Sequence, residues 1–230
     1  MSRVLVLPSA LGTDRTLWDP QLAAFSGSFR VVRYEHRGRS TVEELAQDAL
    51  ALLDGKGVER ASWCGLSLGG MVGMWLAANA PERLDRLVLA CTAARMPAPQ
   101  VYRDRAVAVR ERGLEPLADG IVARWLSPSA PPELTSRLRA MLVAADAEDY
   151  ARCCEALASW DFRDELPQIG VPTLVLAGAE DEATPAAATG LLADRIPGAR
   201  YEVLDGAGHL ANLERPAEFA AAALAHLEAE

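Results

Sequence analysis

Apolar residues follow two alternating patterns along this chain. Short runs rich in valine and leucine predict β-strands, and several are apolar at nearly every position, which is typical of parallel strands covered on both faces. Longer segments with apolar residues three and four positions apart predict helices between these runs. The strands are predicted at residues 3–8, 30–35, 60–66, 86–92, 172–178 and 199–204.

The helical pattern is clearest in three segments. Residues 41–54 place their apolar side chains on one stripe, and Thr41 with Glu44 can form a capping box at the start of that helix. Residues 68–80 are apolar nearly all round, so we expect that helix to be buried against a sheet. Residues 216–228 carry one apolar side. Strands that alternate with helices predict an α/β fold with a doubly wound, mostly parallel sheet.

The alternation stops between residues 97 and 166, which contain no strand pattern. Four helix-like segments occur there, separated by proline-rich breaks such as MPAPQ and SPSAPP. We interpret residues 97–166 as a helical cap inserted between two strands, rather than as an independent domain. Residues 1–96 and 167–230 would then form the core.

Composition narrows the class of protein. Half of the 230 residues are apolar and the net charge is −9, a balance typical of a soluble globular protein. The acidic charge argues against binding to nucleic acids or to a membrane surface through basic residues. No apolar run approaches the roughly 18 residues that a membrane helix needs, and the N-terminus resembles a strand more than a signal peptide. We therefore expect a cytoplasmic protein.

The four cysteines are Cys64, Cys91, Cys153 and Cys154, and none has the C-x-x-C spacing of a zinc site. Cys64 and Cys91 lie in apolar, strand-like runs, where a free thiol is usually a small buried side chain. We expect structural thiols in a reducing compartment, and neither a metal nor another cofactor.

A candidate nucleophile lies where the third predicted strand meets the next helix. Residues 65–69 read GLSLG, and G-x-S-x-G between a strand and a helix is typical of a nucleophile elbow. Such a turn strains the backbone of the serine, so the flanking positions must be small, and it places the hydroxyl at the positive end of the helix. Ser67 is therefore the predicted nucleophile. The alternative is a glycine-rich turn that carries an unrelated serine.

A serine nucleophile needs a base, and the chain has three histidines. His209 lies in the loop after the last predicted strand, at the carboxyl edge of the sheet where Ser67 also lies, so we expect it to be the base. A purely structural histidine is the alternative. His36 follows the second predicted strand, and we expect His226, near the end of the chain, to lie on the surface.

The base in turn needs a carboxylate that orients it. Asp181 follows the strand at residues 172–178, and the order Ser67, Asp181, His209 is the one expected for this fold. Glu180 and Glu182 flank Asp181 and leave the assignment open. These acids could also cap the helix that starts near residue 185.

These motifs resemble the α/β-hydrolase superfamily and, within it, the 3-oxoadipate enol-lactonases of aromatic catabolism. GLSLGG and GAGH are general to the superfamily, whereas the combination of LGT, WDPQ, TAAR, RW-x-x-P and HL-x-N-x-E is much narrower. The matching stretches are residues 11–21, 31–40, 64–95, 122–128, 177–185 and 196–219. The resemblance implies hydrolysis of an enol-lactone by Ser67, His209 and Asp181. It also implies an oxyanion hole made of the backbone N–H groups of Leu11 and Leu68.

The substrate implied by the resemblance carries a carboxylate, so an acidic protein needs a local cation in its pocket. Arg95, at the entry to the cap, and Arg124 are the candidates, and solvated surface arginines are the alternative. Trp18, Trp125 and Trp160 are expected to line the pocket, although packing in the core is an equal alternative for Trp18.

Two departures from the family leave the substrate open. The chain lacks the N-terminal β-hairpin, which leaves about six strands and could expose a sheet edge to a second copy in a homo-oligomer. The loop after residues 37–40 is also shorter, which should open or reshape the pocket. The alternatives are an esterase or lactonase of a biosynthetic pathway, a cyclase or acyltransferase, and a ligand-binding protein with low turnover. In each case the expected partner is a small molecule.

Overall fold

The structure is a computed structural model that describes residues 3–229. It contains a six-stranded sheet in the order β2-β1-β3-β4-β5-β6, and each neighbouring pair of strands runs parallel. The α/β fold with a parallel sheet is therefore confirmed. The strands are β1 (Val4–Pro8), β2 (Arg30–Tyr34), β3 (Ala61–Leu66), β4 (Leu84–Ala90), β5 (Thr173–Gly178) and β6 (Arg200–Leu204).

Helices connect these strands, as the sequence pattern predicts. The α-helices are α1 (Leu22–Phe25), α2 (Val42–Gly55), α3 (Leu68–Asn79), α4 (Pro99–Arg112), α5 (Ala118–Ala123), α6 (Pro132–Val143), α7 (Ala147–Ser159), α8 (Ala186–Arg195), α9 (Ala211–Glu214) and α10 (Pro216–Leu227). Short 3₁₀ helices cover Arg15–Gln21, Pro81–Arg83, Glu115–Leu117 and Leu166–Gln168.

The centre of the sheet is covered on both faces. β1, β3 and β5 are buried at every position, which explains why their sequences show apolar runs instead of alternation. α3 packs on β3 and β4, and its almost wholly apolar surface is buried as expected. At the start of α2, Thr41 and Glu44 form the predicted capping box.

Between β4 and β5 the chain forms four α-helices, α4 to α7. α4 packs mainly on α7, and α5 packs on α6. Arg95 and Asp161 form an isolated bridge where this insertion leaves and rejoins the sheet. The division into a core and a cap at residues 97–166 stays a prediction, and residues 1, 2 and 230 of the predicted core lie outside the described residues. We use "the cap" for residues 97–166.

The edges of the sheet are β2 and β6. On β6 the side chains of Tyr201 and Val203 are exposed. Pairing of this edge with a second copy stays a prediction. Within residues 3–229, the helices are all too short or too polar to cross a lipid bilayer.

One expectation about the histidines is wrong. His226 is buried, and its Nε2 lies 3.1 Å from the carbonyl oxygen of Pro172, to which it donates a hydrogen bond. Burial lowers the pKa of this imidazole below its ordinary value. The four cysteines are free and buried, as expected for structural thiols.

Candidate active site

The turn between β3 and α3 has the strained geometry that the sequence predicts. Ser67 has a φ of 54° and a ψ of −118°, a left-handed conformation that is rare for a residue with a side chain. A Cβ atom at Gly65 would overlap the backbone carbonyl of Gly69. At Gly69 it would lie 2.7 Å from Cγ of Pro8. Both glycines are therefore needed for the tight turn that lifts Ser67 above the sheet.

Three side chains that are far apart in sequence meet at this turn. Nε2 of His209 lies 2.9 Å from Oγ of Ser67, and Nδ1 lies 2.9 Å from Oδ2 of Asp181. All three side chains are buried. With Nδ1–H donating to the carboxylate, Nε2 is left to accept the hydroxyl proton of Ser67, which is the arrangement that general-base catalysis needs.

The loop after β5 presents Asp181 and turns its neighbours outward. Oδ1 of Asp181 accepts hydrogen bonds from the backbone N–H groups of Ala183 and Thr184, each at 2.8 Å, and Oδ2 accepts the Thr184 hydroxyl at 2.7 Å. Glu180 and Glu182 are exposed. The geometry therefore favours Asp181 among the three acids. Asp181 also does not cap α8, which begins five residues later with no side-chain cap.

The hydrogen bonds around Asp181 keep it charged. Burial alone would raise the pKa of this carboxyl group, but the positive charge of His209 when it is protonated, together with the hydrogen bonds from His209 and Thr184, outweighs burial and holds the pKa below its ordinary value. An ionised Asp181 can fix the tautomer of His209 and stabilise the imidazolium that forms when His209 accepts a proton.

The loop of His209 is held in place from two sides. A Cβ atom at Gly178 would overlap the carbonyl of Gly208, so glycine at the end of β5 lets this loop approach the sheet. The backbone N–H of Gly208 donates to Oε2 of Glu214 at 2.7 Å, and Oε1 of Glu214 accepts from both the N–H and the hydroxyl of Ser127 in the cap. One carboxylate thus joins the HL-x-N-x-E and RW-x-x-P motifs.

A second contact joins this loop to the first 3₁₀ helix. Nε2 of Gln21 donates to the carbonyl oxygen of Asn212 at 2.7 Å, and Nδ2 of Asn212 donates to the carbonyl oxygen of Leu17 at 2.8 Å. All three residues are fully buried. The WDPQ motif therefore supports the position of the His209 loop from below.

Two backbone N–H groups are free to act at the expected oxyanion hole. Leu68 is the first residue of α3, where an N–H has no partner within the helix. Leu11 lies in the turn after β1, which is fixed by a hydrogen bond of 2.8 Å from the N–H of Ala10 to Oγ1 of Thr13. Neither N–H has a protein acceptor among residues 3–229. Gly12, with a φ of 71°, completes this turn.

Two cavities border the Ser67 turn. One has a volume of about 20 Å³, room for about one water molecule, and Ser67 and His209 line it. The other has a volume of about 320 Å³ and lies between the Leu11 turn and helices α6 and α7. Leu11 lies in the walls of both cavities, and Leu68 lies in the wall of the larger one. Leu11 therefore stands between the two cavities, and Leu68 borders the larger one.

The structure places two of the five predicted pocket residues at this site. Arg124 and Trp125 line the small cavity together with Ser67. Arg95 does not: its side chain is half exposed and forms an ion pair with Asp161 at 3.6 Å, because both lie where the cap joins the core.

The two other tryptophans predicted for the pocket belong to the core. Nε1 of Trp18 donates to the carbonyl of Pro8 at 2.7 Å, and its ring packs on Phe219. Nε1 of Trp160 donates to the carbonyl of Ala93 at 3.0 Å, and its ring stacks on Phe162. Each indole thus satisfies its only polar atom away from the pocket, which favours the core alternative for Trp18 and corrects the expectation for Trp160.

Two polar residues in the wall of the small cavity are not predicted from the sequence. Tyr102 and Arg105 reach it from α4. Their spacing of three, shared with the buried positions Ala106 and Val109, puts them on the inner face of that helix, and this spacing was the available signal. Within the described residues, no group of three or more histidine, cysteine or acidic side chains is arranged to hold a metal ion.

A family model described as the alpha/beta hydrolase family matches residues 4–222. The chain belongs to this family. The α/β hydrolase is 38% identical over 227 residues to 3-oxoadipate enol-lactonase 2 of Acinetobacter baylyi, covering 94% of this chain and 85% of the relative. The crystal structure of the enol-lactonase from Burkholderia xenovorans has a TM-score of 0.95 and 39% identity, covering 100% of this chain and 93% of that one.

Other activities occur among the relatives of this α/β hydrolase. A protein of a Caulobacter species, named as a candidate carbamate hydrolase, is 32% identical and covers 99% of this chain and 91% of the relative. The family and its enol-lactonase relatives identify the chain as an enzyme that hydrolyses an ester or lactone. The resemblance stated from the sequence is confirmed at that level.

Proposed function

We propose that this α/β hydrolase opens 3-oxoadipate enol-lactone to 3-oxoadipate through an acyl-enzyme on Ser67. The observation that carries the proposal is the chain of two hydrogen bonds, each 2.9 Å long, from Ser67 to His209 and from His209 to Asp181. Relatives named as enol-lactonases, at 38% and 34% identity, support the choice of substrate.

In the first step, Nε2 of His209 takes the proton of Ser67 while Oγ attacks the lactone carbonyl carbon. The carbonyl oxygen becomes negative and accepts the N–H groups of Leu11 and Leu68. Each donor of this kind stabilises the transition state by about 3 kcal/mol. Asp181 stabilises the imidazolium through its hydrogen bond with Nδ1.

Collapse of the tetrahedral intermediate breaks the bond between the carbonyl carbon and the ring oxygen. The ring oxygen takes the proton from His209 and leaves as an enol that remains attached to the acyl group. The enol then becomes a ketone, which removes the alcohol that could close the ring again. His209 next takes a proton from water as the water oxygen attacks the acyl-enzyme carbonyl. His209 then returns that proton to Oγ of Ser67, so that the bond to the acyl group breaks and the product leaves with its new carboxylate.

The test measures turnover of the enol-lactone as the decrease in its absorbance. The Ser67→Ala variant should lose about 10⁴-fold or more in kcat, because removal of the nucleophile leaves only the oxyanion hole and substrate binding. Its thermal unfolding temperature should stay close to that of the wild type. Undiminished turnover by this variant would contradict the proposal.

A carbamate or a small ester is the second candidate substrate. The cavity beside Ser67 has room for about one water molecule, which favours a small reacting group there. The relative named as a candidate carbamate hydrolase fits that observation. A panel of carbamate, p-nitrophenyl esters and the enol-lactone separates the two candidates: the first proposal predicts the highest kcat/KM for the enol-lactone.

A further inference from the structure

Arg105 projects from α4 into the wall of the small cavity that Ser67 and His209 also line. Its side chain is partly buried. Its guanidinium carbon lies 5.0 Å from the centre of the Tyr102 ring, and Nη1 lies 3.5 Å from the hydroxyl oxygen of Tyr150. Among residues 3–229, no carboxylate lies within ion-pair distance of this guanidinium.

The groups around Arg105 supply no negative charge. Burial raises the pKa of Tyr102, of Tyr150 and of Cys154, the last to about 12. All three therefore stay protonated and neutral at neutral pH. A partly buried guanidinium without a counter-ion has lost part of its hydration with no ion pair to offset the loss. An anionic group of a substrate held against this wall would offset it.

Some exposed arginines of the cap form ion pairs, although they face solvent and need a counter-ion less. Arg110, on the outer face of the same helix, lies between Glu148 and Glu155. Arg139 on α6 lies between two acids in the same way, Glu115 and Asp119. The cap thus provides carboxylates for these two exposed arginines and none for Arg105.

Charges around the two cavities differ in sign. The small cavity has two guanidinium groups in its wall, those of Arg105 and Arg124, and no carboxylate. The large cavity has one guanidinium group, Arg37, against four carboxylates. The four are Asp14, Glu35, Asp146 and Asp149. An anionic group of the substrate is therefore attracted to the Arg105 side of the site and repelled from the other side.

We propose that Arg105 is a specificity-determining residue that binds a carboxylate of the substrate, so that the enzyme selects esters or lactones bearing a negative charge. This inference rests on the proposed hydrolysis at Ser67 and deepens it. A guanidinium suits the role because its planar set of N–H groups matches the two oxygens of a carboxylate. Arg124 adds a second positive charge to the same wall, but its side chain is exposed and donates to the carbonyl of Glu182.

The test compares two esters of the same length that differ in charge: mono-p-nitrophenyl glutarate, which carries a carboxylate, and p-nitrophenyl pentanoate, which does not. The Arg105→Gln variant should lose about 10- to 100-fold in kcat/KM for the glutarate ester, the usual effect of a lost hydrogen-bonded charge. For the neutral ester it should stay within about twofold. The matched control is Arg112→Gln, at the exposed end of the same helix, which should leave both esters unchanged.

Equal losses for both esters would show that Arg105 only supports the fold of the cap, and no loss for either would show that it binds nothing; both results overturn the proposal. Binding of free glutarate to the Ser67→Ala protein, measured by calorimetry, tests Arg105 without turnover. Binding weakened about 10-fold by Arg105→Gln supports the proposal, and absent or unchanged binding contradicts it. If the wild-type enzyme turned over neither ester while glutarate binding still depended on Arg105, the proposed function of Ser67 would fail and the role of Arg105 would stand.

Discussion

Glu214 holds Ser127 through two hydrogen bonds: Oε1 accepts the backbone N–H of Ser127 at 2.9 Å and its hydroxyl at 2.6 Å. The other oxygen of this carboxylate accepts the N–H of Gly208 at 2.7 Å. Because Gly208 directly precedes His209, one side chain fixes the proposed base relative to the cap. The cap is thereby linked to the loop of the proposed base.

The Glu214→Gln substitution tests this coupling. An amide cannot accept from Ser127 and Gly208 with both ends, so one buried donor loses its partner, and we expect the free energy of unfolding to fall by about 1–3 kcal/mol. A displaced His209 should lower kcat about 10-fold or more while KM changes little. Glu218→Gln, on the exposed side of α10, is the control. Wild-type kcat in Glu214→Gln would show that the loop does not need this anchor.

The Gly65→Ala substitution tests the elbow. Its Cβ atom would overlap the carbonyl of Gly69, which is backbone and cannot move without opening the turn. We expect a loss of about 3 kcal/mol or more in the free energy of unfolding, measured by urea denaturation, together with the loss of activity. Gly120→Ala in α5 is the control: its Cβ would meet no atom within 4 Å, so it should be neutral or stabilising by up to about 1 kcal/mol. Equal stability of the two variants would contradict the account.

Local patterns predicted the parts of the site that local physics decides. The strand bounds fall within two residues of the observed ones, because near-continuous apolar runs leave little choice for a strand covered on both faces. The close approach of Ser67, Asp181 and His209 follows from the rule that the carboxyl ends of strands in a parallel sheet share one edge. The elbow conformation of Ser67 likewise follows from the two glycines beside it.

Long-range packing decides what the sequence left open. Nothing local distinguishes a tryptophan in a pocket from one in the core: Trp125 lines the small cavity, whereas Trp18 donates to a strand end and packs on Phe219 near the end of the chain. The sequence cannot tell which arginine has a counter-ion, and only the fold shows that Arg95 pairs with Asp161. His226 was misplaced for the same reason, since its partner is the carbonyl of Pro172.

The Trp18→Phe substitution tests whether Trp18 stabilises the core and does not line the substrate pocket. Phenylalanine is smaller and leaves the carbonyl of Pro8 without its donor, so the free energy of unfolding should fall by about 1–3 kcal/mol. KM for the enol-lactone should not change, because the indole does not reach the cavity beside Ser67. A raised KM without loss of stability would return Trp18 to the substrate pocket.

Acid should destabilise the protein through His36. Both ring nitrogens of His36 are buried without a hydrogen-bond partner, and burial lowers its pKa from 6.5 to about 3 despite the nearby charge of Asp48. The folded state disfavours the charged imidazole, whereas the unfolded chain binds a proton near pH 6.5. The stability of the protein is therefore full above that pH and falls as the pH drops from 6.5 towards about 3.

The measurement is the free energy of unfolding at two pH values, about 7.5 and about 5. One histidine of this kind should make the protein about 2 kcal/mol less stable at the lower pH. The His36→Phe variant keeps an aromatic ring against Tyr34 but cannot titrate, so its difference between the two pH values should be smaller by that amount. An unchanged difference would mean that His36 is not the group that titrates.

Labelling with a fluorophosphonate, followed by mass mapping of the modified peptide, tests most directly whether Ser67 is the nucleophile. We expect one phosphonyl group on Oγ of Ser67, loss of hydrolysis in step with labelling, and no labelling of a His209→Ala variant that keeps its fold. A label on a different serine, or an enzyme that stays unlabelled while it hydrolyses its substrate, would contradict this expectation.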